Sequence, residues 1–271
     1  MDNQLLLFAP RSVATELARS EVRVLTWNIA NPSLRRAQDQ LRWLLGTEAN
    51  VIMLTEARRS AGSSFLANAL RNSGFRVFWQ IPSGNEYSVV VAEKGFRGQL
   101  RPADVSFLPE RIQVVTLPTF LGELTLVAIY VPSRGPAERR NADKRAFQTQ
   151  IAEFVKSAHA QGWTRSMVIG GDLNVIPRDH QPPYSFFGEW EYQFYDAFGR
   201  VGLANAYESR HPGGQDHSWV GRREDGYRFD HLFVSSRLLP YAADCRYLHE
   251  PRHSGISDHS ALQLRLTVRV K

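Results

Sequence analysis

Short apolar runs that end in a polar side chain recur along the whole chain, and they restrict its fold more than any other feature. Run 22–27 ends at Asn28, run 51–54 leads to Glu56, and run 124–131 closes around Tyr130 with Pro132 behind it. Run 167–169 passes through Gly170-Gly171 to Asp172 and Asn174, run 228–234 contains Asp230 and His231, and Asp258-His259 precedes the last run. Short apolar runs bounded by turn signals read as buried strands. Between them lie segments of helical period: 35–46 with Leu41, Leu44 and Leu45, 62–72, 188–202, and above all 137–159. The last of these stripes Phe147, Ile151, Phe154, Val155 and Ala158 along one face. Further strands are expected near 75–80, 86–93, 111–117, 216–220 and 244–248. Leu262, Leu264, Leu266, Val268 and Val270 alternate with polar residues as a half-buried final strand does. Strands alternating with helices, in two β-rich halves without repeat or linker, predict one α/β domain of the sandwich kind. Residues 1–20 are expected to form an N-terminal arm and 21–271 the domain.

Composition narrows the function. One cysteine, Cys245, excludes a disulfide framework and a cysteine-based zinc site. The Leu5-Leu6-Leu7-Phe8 run is too short for a signal-peptide core, and no stretch approaches the roughly 20 apolar residues of a membrane helix. A cytoplasmic monomer that does not engage membranes is therefore expected. Lysine and arginine total 33 against 27 acidic residues, a net charge of +6 that favours an anionic partner.

The polar strand ends supply the chemistry. Ligand sites in such sheets collect where strands end and the backbone turns. The Gly-Gly pair is expected to let the backbone bend sharply and approach a ligand. If the following segment is extended, Asp172 and Asn174 point to one face. Glu56, Asp172, Asp230 and Asp258 repel one another unless a cation or a histidinium compensates. Oxygen donors without a cysteine cluster suit a hard ion such as Mg²⁺ or Mn²⁺.

Six segments, in order, resemble the endonuclease/exonuclease/phosphatase superfamily, and within it the exonuclease III and abasic-site endonuclease branch. They are Leu25-Thr26-Trp27-Asn28, Leu54-Thr55-Glu56, Ile129-Tyr130-Val131-Pro132, Gly171-Asp172-Leu173-Asn174, Arg228-Phe229-Asp230 and Ser257-Asp258-His259. Each taken singly reads as a turn, a cap or a packed tyrosine; together they would be six coincidences in family order. The resemblance implies a four-layer αββα sandwich of two packed β-sheets flanked by helices. It implies Glu56 as principal metal ligand with Asn28 beside it and Asp258 as a further acidic contributor. His259 would contact the scissile phosphate with Asp230 orienting it, Asp172 would activate water, Asn174 would donate to a phosphate oxygen, and Tyr130 would reach the phosphate or leaving group. Three positions depart from the branch. Ala30 stands where relatives carry an acidic residue, Arg58 replaces a lysine, and Asp225 stands where relatives often have asparagine.

Substrate contacts are more open. Trp219, after His217-Ser218, either stacks on a base or fills the core. The basic segment from Arg134 to Arg145, with Arg139, Arg140 and Lys144, could track a phosphate backbone, although a solvated helix face explains it more simply; Arg222 and Arg223 are similar. His180, His211, His249 and His253 read as surface or structural. The function expected is a metal-dependent nuclease acting on DNA, of the abasic-site endonuclease or 3′-exonuclease type. The alternatives are a phosphatase or phosphodiesterase on a small ester such as an inositol phosphate, lipid or nucleotide, and a non-catalytic nucleic-acid binder.

Overall fold

The computed structural model describes residues 20–268; the arm over 1–19 and Val270 lie outside the described residues. The order of elements is β1 (Glu21–Asn28), α1 (Leu34–Gly46), β2 (Val51–Ala57), α2 (Ala61–Asn72), β3 (Arg76–Trp79), β4 (Ser88–Glu93), β5 (Gln99–Arg101), β6 (Ile112–Thr119) and β7 (Gly122–Tyr130). There follow α3 (Asn141–Ala160), β8 (Met167–Asp172), α4 (Glu189–Arg200), β9 (Leu203–Asn205), α5 (Ala206–Arg210), β10 (Trp219–Val220), β11 (Gly226–Tyr227), β12 (Asp230–Ser235), β13 (Ala242–Leu248), α6 (Glu250–His253) and β14 (Ala261–Thr267).

Two six-stranded mixed sheets pack face to face, in the orders β13-β14-β1-β2-β4-β3 and β5-β6-β7-β8-β12-β9. Alternation along the strands accounts for the layers. Even-numbered residues Val22 and Val24 of β1 face Leu126 and Ala128 of β7, Val168 of β8, and Leu232 and Val234 of β12 across the inter-sheet core. The odd-numbered Leu25 and Trp27 point outward to Leu44 of α1 and to Leu66 and Leu70 of α2. On the other sheet, Val127, Ile129, Ile169 and Phe233 point outward to Phe147, Ile151 and Phe154 of α3 and Phe194 and Phe198 of α4. Each inner strand carries a hydrophobic set on both faces, which is why the runs read as continuously apolar. Ser33 and Ser60 start α1 and α2 by accepting from the N–H groups of Arg36 and Ser63. The result is the αββα sandwich.

In each sheet one central pair is parallel, β1 with β2 and β7 with β8. The C-terminal ends of these four strands therefore share one edge of the sandwich. β12 and β14 run antiparallel to their neighbours β8 and β1, so they begin at that edge.

The structure corrects the role expected of Gly170-Gly171. β8 does not end at Ile169 and bend; it continues through both glycines to Asp172. A Cβ on Gly170 would lie 1.9 Å from the His231 carbonyl oxygen, and one on Gly171, whose φ is +139°, 2.0 Å from that of Ile129. The pair admits neighbouring backbone, not a ligand. Run 216–220 shrinks to β10, which pairs with β11 and bridges from Trp219 to His259. Strands β5 and β9 and helices α5 and α6 are too short to show a period in sequence.

Gly171→Ala is expected to destabilise the protein by about 3 kcal/mol, since overpacking combines with a left-handed backbone. Gly199→Ala, where nothing lies within 4 Å of the added Cβ, should be neutral or stabilising. Urea unfolding of the two variants checks the contrast.

Candidate active site

The inner-face alternation of β1, β7, β8 and β12 ends, at the shared edge, on polar residues: Asn28, Tyr130, Asp172 and Asp230. All four are buried. Asp230 pairs directly with Asp172 in the β8–β12 register, and Tyr130 with Asp172 in the β7–β8 register. Glu56 arrives differently. Alternation would turn it outward with Ile52 and Leu54, but the β2–β4 register shifts between Leu54 and Ala57. Glu56 has a φ of +58°, and the bulge re-aims its carboxylate toward the other strand ends.

Asn28 links the two sheets. Its Nδ2 donates to Glu56 Oε1 at 3.0 Å and to Asp172 Oδ2 at 2.9 Å, and lies 3.4 Å from His259 Nε2. Its Oδ1 accepts from the Ala30 N–H at 2.9 Å. The Tyr130 hydroxyl donates to Glu56 Oε1 at 2.9 Å. Asp172 Oδ1 accepts from the Asn174 N–H at 2.9 Å. Asn174 does not extend the strand: its φ is +50°, and its Nδ2 donates to the Val131 carbonyl at 2.9 Å. The expected same-face projection of Asp172 and Asn174 is thus replaced by a left-handed turn folded back on the Asp172 carboxylate.

His259 Nδ1 donates to Asp230 Oδ2 at 2.7 Å. The rest of the pair is held by backbone contacts. The Trp27 indole donates to the His259 carbonyl at 3.1 Å, the Tyr247 hydroxyl to the Asp230 carbonyl at 2.6 Å, and the Asp230 N–H to the Ser218 hydroxyl at 3.1 Å. Burial disfavours an imidazolium at His259, but the Asp230 carboxylate, with help from Asp172 and Asp258, outweighs it and lifts the imidazole to about 10. Asp172 is pushed up to about 8 by burial first, then by Asp230 and Glu56, against the opposing pull of His259 and the Asn28 amide. Burial, with Glu56 and Asp172 nearby, raises the Tyr130 phenol well above its ordinary value, so it is a proton donor and not a phenolate. His231, the next residue after Asp230, is the opposite case. Its Nε2 lies 2.9 Å from the Val175 carbonyl, and burial pulls its pKa down to about 4.

A cleft of about 330 Å³ opens over Glu56, Asp172, Asn174, Asp258 and His259, and Arg134 and aromatic rings form its wall. Trp219 belongs to that wall. Its indole donates to Asp258 Oδ2 at 3.1 Å, and Tyr227 and Phe229 stack behind it with ring centroids 5.1 Å apart. Phe187, Phe186 and Tyr184 complete the aromatic side. Arg58 lies over the Tyr87 ring, 3.7 Å from its centroid, and Arg111 over Tyr130 at 4.8 Å. Sequence reasoning passed over Arg111, Tyr87, Phe186 and Phe187, because nothing in their local pattern ties them to the other strand ends.

Lys144 is a correction. It is fully buried, forms an ion pair with Glu191 and donates to the Asn174 carbonyl at 2.6 Å. It therefore anchors the turn that carries Asn174 and does not face a phosphate backbone. Arg139 and Arg222 are exposed on loops and do not line the cleft. Of the histidines read as structural, His180 is buried and accepts from the Arg228 N–H at 3.2 Å, and His211 contacts the Cys245 carbonyl at 2.8 Å. None of the described helices is long and apolar enough to cross a membrane.

No family model and no curated protein matches the sequence significantly. Solved structures do. The chain is similar to the 3′ phosphatase NExo from Neisseria bound to a product DNA hairpin, with 20% identity, TM-score 0.74, and coverage of 91% of this chain and 100% of that one. It is similar to the AP endonuclease LMAP from Leishmania major at 20% identity and TM-score 0.74, covering 92% and 89%. An AP endonuclease from Archaeoglobus fulgidus gives 18% identity and TM-score 0.75, covering 91% and 100%. The likeness is one of fold: two packed mixed β-sheets flanked by helices.

The histidines and the buried lysine generate two expected outcomes. His231 binds its proton in the unfolded chain near pH 6.5 but in the folded protein only near 4. Stability should therefore fall as pH drops from 6.5 to 4, by about 3 kcal/mol from this group, and level off below. In His231→Gln that component of the pH profile disappears in urea titrations. Lys144→Ala takes the close cation from the buried Glu191 carboxylate, leaving it Arg134 at 3.8 Å and the Gly188 N–H, and should cost about 3 kcal/mol in thermal or urea unfolding.

Proposed function

We propose that this protein is a divalent-cation-dependent phosphodiester hydrolase acting on DNA, of the abasic-site endonuclease or 3′-exonuclease type. One observation supports the reading above the others: a proton-accepting carboxylate, an imidazolium, a phenol and a carboxamide converge at one edge of the two sheets, beside a carboxylate with a spare oxygen. The aromatic wall, the net positive charge and the resemblance of the fold to AP endonucleases and a DNA-bound 3′ phosphatase favour DNA over a small ester.

The donor set suits a hard cation. Glu56 Oε1 takes both hydrogen bonds from Asn28 and Tyr130, which leaves Oε2 to a ligand. Asp258 stands in the same cleft. Ala30 offers no carboxylate, and among the described residues no group of three or more His, Cys, Asp or Glu forms a ready cage. That fits Mg²⁺ or Mn²⁺, which are held by one or two carboxylates and otherwise by water and substrate phosphate. Asn28 serves as a brace, since its amide nitrogen and not its oxygen faces the carboxylates. When bound, the cation supplies Lewis-acid stabilisation of charge on the phosphate and leaving oxygen.

The chain's own groups carry the rest. Asp172, whose proton affinity burial and neighbouring carboxylates raise toward neutrality, accepts the proton of the attacking water. His259, held charged by Asp230, donates from Nε2 to a phosphoryl oxygen as charge accumulates there. Asn174 has spent one N–H on Val131 and keeps the other for the phosphate. Tyr130, whose one proton rests on Glu56 Oε1, reaches the leaving oxygen by turning that O–H away from the carboxylate. The aromatic wall receives a base or sugar, and Arg134 at the cleft mouth attracts the backbone.

The test is an assay with Mg²⁺ or Mn²⁺ on duplex DNA carrying an abasic site, blunt duplex, single-stranded DNA, RNA and inositol phosphates. Cleavage of DNA, suppressed by chelator, is expected; turnover of the small esters alone would overturn the nuclease reading. Asp172→Asn and His259→Ala should each lower kcat by about 10²–10⁴-fold with unfolding curves close to wild type. A near-wild-type rate in either variant would remove that residue from its role.

A further inference from the structure

A second cleft, of about 570 Å³, lies across the Trp219–Asp258 ridge from the candidate active site and is lined by Ala30, Arg36, Val220, Arg252, Gly255, Ser257 and Asp258. Asp258 borders both clefts, and the β10 strand separates them, with Trp219 on one side and Val220 on the other. Two arginines line this cleft, and neither has a carboxylate partner among the described residues. Arg36 commits only Nη2, to the carbonyls of Ala30 and Asn31; its Nε is buried without a partner, and Nη1 is left to a ligand. Arg252 Nε donates to the Ser260 hydroxyl at 3.2 Å, and burial alone, with no compensating acid, lowers its pKa. Half-burying two guanidinium groups without a counter-charge is unfavourable. A bound anion offsets that cost, and phosphate matches the guanidinium fork.

The active cleft makes such a partner useful. Glu56, Asp172 and Asp258 line it against His259 and Arg134, so its lining carries more acid than base and does little to draw in a polyanion. The neighbouring cleft carries two cations against the single Asp258 it shares.

Resting on the nuclease reading above, we propose that Arg36 and Arg252 form a subsite for a backbone phosphate flanking the scissile one. The strand crosses the Trp219–Asp258 ridge between the two clefts, and the subsite selects polynucleotides over isolated phosphate esters.

The test pairs a protein change with a substrate change. Arg252→Gln is measured against a set of DNA oligonucleotides in which each phosphate near the cleavage position is in turn a neutral methylphosphonate. With all phosphates charged, Arg252→Gln should raise KM roughly tenfold, the scale of a charged hydrogen bond. At one flanking position the neutral substrate should lose the same factor with wild type, and the variant should lose nothing further. Arg252→Lys should recover part of the loss. Additive losses at every position, or an unchanged KM, would overturn the subsite. Unfolding curves of the variant exclude a folding defect as the cause of the KM change. If wild type cleaves no DNA, the nuclease reading fails by itself. The subsite is then judged by titrating a short single-stranded oligonucleotide into protein observed through its arginine Nε–H NMR signals. A shift at Arg252 and Arg36, lost in Arg252→Gln, would sustain it, and no shift would end it.

Discussion

The Asn28 carboxamide holds the two halves of the sandwich in register at the edge where the chemistry gathers. Its two N–H bonds go to carboxylates on different sheets, Glu56 of β2 and Asp172 of β8. Its oxygen is tied to the Ala30 backbone, so the amide cannot turn. Two carboxylates brought within reach of one buried amide would separate without it. Every other member of the constellation is placed relative to that pair. Tyr130 bonds to Glu56, the Asn174 N–H caps Asp172, and His259 stands beside the amide nitrogen on its own Asp230.

The convergence is a consequence of strand direction. A parallel pair at the centre of each sheet aligns four C-terminal ends at one edge, and antiparallel neighbours begin there. Inner-face alternation, apolar through the core, becomes polar at its last step. The close approach that this demands explains Gly170 and Gly171, between whose neighbouring carbonyls no side chain fits. Local geometry then makes two exceptions. Glu56 and Asn174 adopt left-handed backbone, a cost that non-glycine residues bear where the surrounding structure fixes them.

Environment, more than residue type, sets charge at the site. His231 and His259 are both buried, yet burial holds one neutral while Asp230 holds the other charged. Lys144 shows the same principle in reverse. A basic residue in a basic stretch of sequence suggested phosphate, but Glu191 and the Asn174 carbonyl claim it inside the protein. The arginines that do face the clefts, Arg134, Arg36 and Arg252, come from three distant parts of the chain.

The sequence by itself determined the α/β layering, because period-2 and period-3.6 apolar patterns are local and each strand run carried its own turn signal. It also marked Asn28, Glu56, Tyr130, Asp172, Asp230 and His259, since a polar residue ending a buried run is visible one segment at a time. It was silent where position depends on a neighbour. The bulge that aims Glu56, the turn that folds Asn174 onto Asp172, the burial of Lys144, and the gathering of Phe186, Phe187 and Phe229 into one wall all arise from contacts between remote segments. Only the tertiary structure decided these, because burial, hydrogen-bond partners and local field are properties of what packs around a residue and not of the residues beside it in the chain.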